Sequence, residues 1–316
     1  MRAIMASRFG GPEVLALVDL PTPDPAEGQF RVAVGRVGVG WLDAQIRRGL
    51  GPAGFGVTPP YVPGGGVAGT VTAVGSGVDV GWLGARVVTR PLGGYGGGYA
   101  DTVISAPEAS FLVPASVDLG DALAVLDDGS TALALLERTP VRAGDRVLVA
   151  PGVGGLGSLL VQLVTAAGAT AVAAVRGEQK MALAKELRAE AVDYSAPSWA
   201  TRVGRPDVVF DGVGGETGAA ALALLGDGGR FSGYGMASGA ETHVGAADRQ
   251  RLTVSNMSQL PTFWADAPRR VEHVLAEVAE GRLTPVIGQT YPLAEAAAAH
   301  ADIEARRFVG KLLLLP

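Results

Sequence analysis

The sequence predicts an α/β protein that combines a β-rich domain with a doubly wound, parallel-sheet domain. Residues 1 to about 120 contain alternating apolar segments separated by Pro and Gly clusters, which is the pattern of short antiparallel strands. From residue 121 to 262, strand-like and helix-like segments alternate, as in a parallel sheet covered by helices. A Gly-x-Gly-x-x-Gly turn joins the first strand and helix of that region.

The expected elements follow from these periodicities. In the first domain, strands are predicted at 31–37, 67–74, 85–89 and 99–104, with little helix. In the second, a helix over 121–136 precedes strands at 147–150, 171–175, 191–194, 207–211, 229–232 and 252–255, with helices such as 180–188 and 217–225 between them. The last segments are a helix (267–280), a strand (286–291), a helix (293–303) and a strand (309–315). Because they match the strand style of the first domain, we predict domains at 1–120 with 263–316, and at 121–262.

The glycine turn predicts a dinucleotide site. Gly152 permits a tight turn, Gly154 lets the backbone approach phosphates, and Gly157 lets the helix pack on the strand. The helix N-terminus then meets the pyrophosphate. The residues predicted to bind it are Gly152, Gly154, Gly155, Leu156 and Gly157.

The end of the second strand indicates which dinucleotide binds. An NAD site places an acid there to hold the ribose 2′-OH, but this chain has Arg176, with Lys180 four residues later. Cations at a helix start oppose the helix dipole, which favours a 2′-phosphate as their partner and NADPH as the cofactor. Two alternatives remain at this stage: a solvated helix start, and an NADH site in which Glu178 serves the ribose.

The composition excludes several functions. The 316 residues are 48% hydrophobic and 18% charged, with a net charge of −5 and no basic run, so no nucleic-acid partner is expected. The uncharged stretch 150–175 contains glycines and breaks into strand, turn and helix, so we expect no membrane association and a cytoplasmic protein. The absence of cysteine excludes disulfides, thiol nucleophiles and Cys-ligated zinc. His243, His273 and His300 are scattered, and the last two are predicted to be surface or hydrogen-bonded residues, so no metal site is expected.

The chain resembles the zinc-independent quinone oxidoreductase and enoyl reductase branch of the medium-chain dehydrogenase/reductase superfamily, essentially from end to end. The motifs that carry the resemblance are GGPEVL (10–15), PGGGVAG (63–69), AGDRVLV (143–149) before the glycine turn, DVVFDGVGG (207–215), GGR (228–230) and VGKLLL (309–314).

This resemblance implies a GroES-like β-barrel catalytic domain, split around a Rossmann domain, with cofactor and small-molecule substrate between them. It implies that Lys180 and Tyr194 hold the 2′-phosphate of NADPH. Gly214 and Lys311, within matching motifs, and Thr131, in the stretch 126–132 that otherwise departs from the family pattern, are further expected cofactor contacts. It also implies a homodimer joined through the last Rossmann strand, near 252–256.

Several positions depart from the family pattern. Gly40 and Gly66 replace the usual Asn and Glu, and Gln45 stands where a pocket Tyr is common. Asp127 and Asp128 replace apolar residues expected beside the nicotinamide. Because an unpaired carboxylate there is costly, we hypothesise that one of them binds a polar substrate or donates a proton, the alternative being an ion pair at a helix start or between domains.

Two tyrosines complete the predicted site. Tyr61 and Tyr95 are candidate hydroxyl donors, and the glycine-rich loop 93–98 is either a mobile rim or a barrel connection. The expected reaction is NADPH-dependent hydride transfer to a quinone or an activated C=C bond. The alternatives are a non-catalytic, crystallin-like NADPH-binding protein and a secondary-metabolite tailoring reductase with an atypical acceptor.

Overall fold

The computed structural model describes residues 1–51 and 56–316. Within these ranges the strands are β1 (Arg2–Ala6), β2 (Leu15–Asp19), β3 (Phe30–Val39), β4 (Val67–Val74), β5 (Arg86–Thr89), β6 (Thr102–Ser105), β7 (Ser110–Leu112), β8 (Arg146–Ala150), β9 (Thr170–Val175), β10 (Glu190–Asp193), β11 (Val208–Asp211), β12 (Arg230–Gly233), β13 (Thr253–Ser255), β14 (Ile287–Pro292) and β15 (Lys311–Leu315). The helices are α1 (Trp41–Arg47), α2 (Leu119–Arg138), α3 (Gly155–Ala166), α4 (Glu178–Glu186), α5 (Trp199–Val203), α6 (Gly215–Ala223), α7 (Ala246–Arg251), α8 (Ala267–Ala279) and α9 (Ala296–Glu304).

The described residues form two compact units. Unit 1 comprises Met1–Asp127 and Val271–Pro316, and unit 2 comprises Asp128–Arg270. Both divisions fall a few residues after the predicted boundaries, because each lies inside a continuous helix, α2 or α8, rather than in a loop.

Unit 2 is a six-stranded parallel sheet in the order β10-β9-β8-β11-β12-β13. Numbered from its own first strand, this order is 3-2-1-4-5-6, the Rossmann arrangement. The central strands are apolar throughout because helices cover both faces; Leu148, Val172 and Val209 are fully buried. This confirms the predicted doubly wound sheet.

Unit 1 is built on a mainly antiparallel sheet in the order β14-β15-β3-β4-β5-β7, with β6 pairing to β3. The strand β15 joins it beside β3, so the chain returns to the first domain as predicted. Its core includes Phe30, Val67 and Leu312. The predicted fold class, with a β-rich unit and a doubly wound parallel-sheet unit, is confirmed.

Several local expectations need correction. The strand predicted at 99–104 begins only at Thr102, because the backbone at Tyr99 and Ala100 bonds to β1 instead. The helix predicted at 293–303 starts as a 3-10 turn and becomes α9 only at Ala296. His300 is not on the surface but is hydrogen-bonded, the second of the two predicted alternatives. It is fully buried, with Nε2 2.9 Å from the Tyr99 hydroxyl and no hydrogen-bond partner for Nδ1 among the described residues.

The short helix α1 was not predicted, and it positions part of the site. It begins after Gly40 and places Asp43 in its first turn, where the carboxylate accepts a hydrogen bond from the Gly40 N–H. No helix in the described part of the chain is both long and apolar enough to cross a membrane.

Candidate active site

The turn between β8 and α3 has no room for side chains at two of its glycines. A Cβ atom on Gly157 would lie 1.9 Å from the Pro151 carbonyl oxygen, and one on Gly152 would lie 2.4 Å from the Ala173 Cβ. Both contacts are far inside van der Waals distance, so α3 can pack this closely only on glycine.

Gly154 differs from its two neighbours. A Cβ atom built there meets nothing within 4 Å, so this glycine faces open space. Gly155 and Leu156 follow it in the first turn of α3, which no side chain of the described residues caps. The turn therefore presents backbone N–H groups and the positive end of the helix dipole to that space, as an anion site requires.

The predicted 2′-phosphate residues gather at the ends of β9 and β10. The Arg176 guanidinium carbon lies 4.9 Å from the centroid of the Tyr194 ring, a cation–π distance. Asp193 accepts a hydrogen bond from the Gly177 N–H at 3.1 Å, which fixes the loop between Arg176 and α4. Lys180 lies in the first turn of α4, directly after that loop.

The other expected cofactor contacts lie in different places. Gly214 donates its N–H to Asp211 Oδ1 at 2.9 Å, so a buried carboxylate orders the loop after β11. Thr131 is half-buried on α2. Lys311 belongs to unit 1, at the start of β15, where its charge lowers the pKa of both Asp43 and Asp127.

A buried carboxyl–tyrosine pair lies in unit 1. Tyr95 donates its hydroxyl proton to Asp43 Oδ1 at 2.6 Å, and the Gly40 N–H donates to Oδ2 at 2.7 Å. Asp43 is only 4% exposed. Burial raises its pKa to about 6, against the opposing effects of these two hydrogen bonds and of the Lys311 charge.

The loop that carries Tyr95 is held on one side. The N–H groups of Gly97 and Gly98 donate to the carbonyls of Val62 and Gly64, at 2.7 and 3.0 Å. Tyr95 thus stands just before an anchored stretch of backbone, which gives its hydroxyl a defined position.

Asp127 forms an ion pair within unit 1. Arg90 donates to Asp127 Oδ1 through Nη2 at 2.6 Å and through Nε at 3.2 Å. Burial acts to raise the pKa of Asp127, but the charges of Arg90 and Lys311 outweigh it and lower the pKa. Asp127 is therefore ionised near neutral pH, which argues against the predicted proton-donor role. The ion pair with Arg90 favours the alternative of a structural ion pair, and substrate binding stays a prediction.

The position of Asp127 also accounts for Gly66. A Cβ atom at Gly66 would lie 3.6 Å from Asp127 Oδ2 and 3.0 Å from Leu126 Cδ2. The carboxylate expected at residue 66 is absent, and a carboxylate from α2 faces that position. We interpret the two departures as one relocation of negative charge.

Asp128 faces other neighbours. Successive helical residues point about 100° apart, so Asp127 and Asp128 cannot serve the same site equally. Asp128 belongs to unit 2, where its charge, after burial and Asp211, raises the pKa of Tyr234. The Tyr61 hydroxyl is buried without a hydrogen-bond partner among the described residues, and burial raises its pKa to about 12.

Comparison with known proteins covers the whole chain. Residues 26–116 match the alcohol dehydrogenase GroES-like domain family, and residues 188–314 match a family described as zinc-binding dehydrogenase. A quinone oxidoreductase from Pseudomonas aeruginosa is 32% identical, over 100% of this chain and 99% of its own length. The chain belongs to the medium-chain dehydrogenase/reductase superfamily. The family resemblance inferred from the motifs is therefore confirmed.

Two further members of the superfamily bear on the site. A 2-haloacrylate reductase from a Burkholderia species is 30% identical, over 99% of this chain and 98% of its own length. A mycobacterial protein solved in complex with NADPH superposes with a TM-score of 0.88 at 33% identity, over 100% of both chains.

The described residues provide groups that suit the phosphates of NADPH. The open space at Gly154, the uncapped first turn of α3 and the Arg176–Tyr194 pair match the pyrophosphate and the 2′-phosphate of NADPH. No comparable group of residues suits zinc, because among residues 1–51 and 56–316 no three His, Cys, Asp or Glu side chains are placed together as metal ligands.

Sequence reasoning missed Asp43 and Arg90 as site residues. No sequence pattern singled out Asp43, because its raised pKa depends on burial that the sequence does not show. Arg90 follows β5 in a run without any catalytic pattern. Only its pairing with Asp127 in the folded chain reveals it.

Proposed function

We propose that this protein is an NADPH-dependent reductase that transfers a hydride to a quinone or to an activated C=C bond of a small molecule. The observation that carries the proposal is the open glycine turn followed by Arg176 over Tyr194, a binding place for a phosphorylated dinucleotide. The full-length likeness to a quinone oxidoreductase and to a 2-haloacrylate reductase supports both acceptor classes.

Unit 2 supplies the cofactor contacts in this proposal. The backbone of Gly154, Gly155 and Leu156 holds the pyrophosphate, while Arg176 and Lys180 neutralise the 2′-phosphate beside Tyr194. Bound NADPH supplies the hydride, and the protein orients the acceptor and excludes water.

Unit 1 supplies the groups that act on the acceptor. Hydride addition to an enone leaves negative charge on the carbonyl oxygen, which a hydroxyl donor stabilises and protonates. Tyr95, held in place by its anchored loop, is the proposed donor, with Tyr61 as a second hydroxyl. The Arg90–Asp127 pair is proposed to bind polar groups of the acceptor.

Steady-state assays test the proposal. Purified protein is mixed with NADPH and a panel of quinones and enones, and loss of reduced-nicotinamide absorbance is followed. We expect turnover with at least one acceptor class and a loss of at least about tenfold in kcat for Tyr95→Phe. Binding of NADPH without turnover of any acceptor would instead support a non-catalytic protein.

We further propose a cytoplasmic homodimer joined through β13. This strand is the edge of the unit 2 sheet, pairs only with β12 among the described strands, and has an unpaired outer side suited to a second copy. Sedimentation should give twice the chain mass, and Val254→Pro, which removes an edge N–H, should shift the protein to monomer. A wild-type monomer would contradict this assignment.

A further inference from the structure

The two members of the Asp43–Tyr95 pair differ in accessibility. Asp43 is nearly completely buried, whereas Tyr95 is half-buried, and their oxygens are 2.6 Å apart. The second carboxyl oxygen is committed to the Gly40 N–H. Of the two residues, only Tyr95 keeps an appreciable exposed fraction, so an acceptor oxygen at this pair would meet the tyrosine before the carboxyl behind it.

The Tyr95 hydroxyl can donate only one hydrogen bond at a time. A phenol has a single O–H donor. While Asp43 is a carboxylate, that proton is held in the bond to Oδ1, and Tyr95 presents only oxygen lone pairs to an acceptor. Once Asp43 carries a proton, its own O–H donates to the tyrosine oxygen, and the Tyr95 proton turns toward the acceptor.

We infer that Asp43 is the proton reserve behind Tyr95, so that the pair transfers a proton to the reduced acceptor only when the buried carboxyl is protonated. This inference rests on the proposed reductase function. It adds a positioning residue that acts through the proposed donor.

For an enone, the hydride pair forms the new C–H bond at the β-carbon, the C=C pair moves to the adjacent bond, and the carbonyl pair moves to oxygen. That oxygen takes the Tyr95 proton, and the tyrosine oxygen takes the proton from Asp43 Oδ1. NADPH is oxidised, the enone is reduced to its enol, and the Asp43 carboxylate regains a proton from water.

The charges around Asp43 make both protonation states accessible. Burial raises its pKa and the nearby Asp127 charge adds to that rise, whereas Lys311 lowers it. Tyr61 and Tyr99 lie close enough for Asp43 to raise their own pKa values, so both remain neutral. The charge of Arg47, on the same helix as Asp43, acts to lower the pKa values of those two tyrosines. The resulting pKa of about 6 for Asp43 lies near working pH, as an acid catalyst requires.

The pH dependence of kcat/KM for an enone tests the inference. For wild type we expect kcat/KM to fall about tenfold for each pH unit above about 6. In Asp43→Asn, the Gly40 N–H holds the amide oxygen and turns the NH2 group toward Tyr95. That group donates at every pH, so the profile should become flat.

Two further variants complete the design. Tyr95→Phe should be slower by at least about tenfold and should also lose the slope, because the link to the acceptor is gone. Glu108 is an exposed carboxyl that is not among the groups acting on the pKa of Asp43, so Glu108→Gln should keep the wild-type slope. In addition, the infrared carbonyl band of a protonated carboxyl should titrate near pH 6 in wild type and at a higher pH in Tyr95→Phe, which lacks the hydrogen bond that lowers the pKa of Asp43. The band should be missing from Asp43→Asn.

The outcomes separate the two claims. Turnover with the wild-type slope retained in Asp43→Asn, or in Tyr95→Phe if the first variant does not fold, overturns the proton reserve and leaves the reductase function standing. Absence of turnover with every acceptor overturns the reductase function and, with it, the role assigned to Asp43.

Discussion

The two candidate sites differ in what forms them, which is backbone in unit 2 and side chains in unit 1. In unit 2, the dinucleotide turn consists of backbone and of missing side chains, with Gly157 packed against the Pro151 carbonyl and Gly154 facing open space. In unit 1, the polar cluster consists of side chains from distant parts of the chain, chiefly Asp43, Tyr95 and Asp127. The first site depends on steric fit, and the second on burial and charge.

This difference determines how each site should respond to change. A steric site fails when atoms are added, and it is insensitive to pH. A buried polar cluster tolerates shape changes poorly as well, but its stability also depends on protonation.

The largest expected effect is a pair of opposing pH dependences of stability in unit 1. Burial, with the charge of Arg47, lowers the pKa of His300 to about 3. The contribution of His300 to the free energy of unfolding is therefore complete above pH 6.5 and decreases by up to about 5 kcal/mol as pH falls toward 3. Burial raises the pKa of Asp43 to about 6, so its contribution is complete below pH 4 and decreases by about 3 kcal/mol as pH rises through 6.

Denaturant unfolding at pH steps checks this prediction. Between about pH 4 and 6 the two dependences oppose each other. His300→Gln should leave a free energy of unfolding that falls with rising pH, and Asp43→Asn should leave one that rises more steeply than in wild type. If neither variant changes the slope, these groups do not titrate as their burial indicates.

The next effect contrasts two glycines of the turn. Gly157→Ala places a methyl group 1.9 Å from a carbonyl oxygen, and we expect a loss of about 3 kcal/mol in the free energy of unfolding, together with loss of NADPH binding. Gly154→Ala meets no protein atom, so its stability should stay within about 0.5 kcal/mol of wild type.

The Gly154→Ala variant should nevertheless bind NADPH at least about tenfold more weakly, since the methyl group occupies the space reserved for the phosphates. Calorimetry measures both affinities. Wild-type affinity in Gly154→Ala would show that the pyrophosphate lies elsewhere.

A smaller effect concerns the choice of cofactor. Arg176→Gln removes the cation over Tyr194, and we expect NADPH affinity to fall about tenfold while NADH affinity changes little. Arg202→Gln, an exposed cation on α5, is the matched control and should leave both affinities unchanged. An equal loss for the two cofactors would remove Arg176 from the 2′-phosphate site.

The smallest effect tests the relocated carboxylate. Gly66→Glu places a second acid beside Asp127 and should destabilise the protein by about 1–2 kcal/mol. Adding Asp127→Leu should recover about 1 kcal/mol of that loss, because the new glutamate then faces Arg90 without a competitor. A double-mutant cycle of urea unfolding measures the coupling, and strictly additive changes would contradict the relocation.

The contrast between the sites also explains what the sequence could reveal. The glycine turn, Arg176 and the alternating strands and helices of unit 2 follow from local spacing, and the strands were predicted to within a few residues. The hydrogen bonds of Asp43 to Tyr95 and of Asp127 to Arg90 join residues that are 52 and 37 positions apart, so no local sequence pattern indicates them. The helix α1, which was not predicted, is needed to bury Asp43. The adjacent acids Asp127 and Asp128 of α2 have different neighbours, and only the folded chain shows which neighbours each has.

Transfer of a labelled hydride is the sharpest test of the proposed reductase function. An enone is reduced with NADPH that carries deuterium at C4 on one face or the other, and the product is analysed by mass spectrometry. We expect one deuterium at the β-carbon from one of the two faces, with the remaining proton derived from solvent. A reduced product without deuterium from either face, or no product at all, would contradict it.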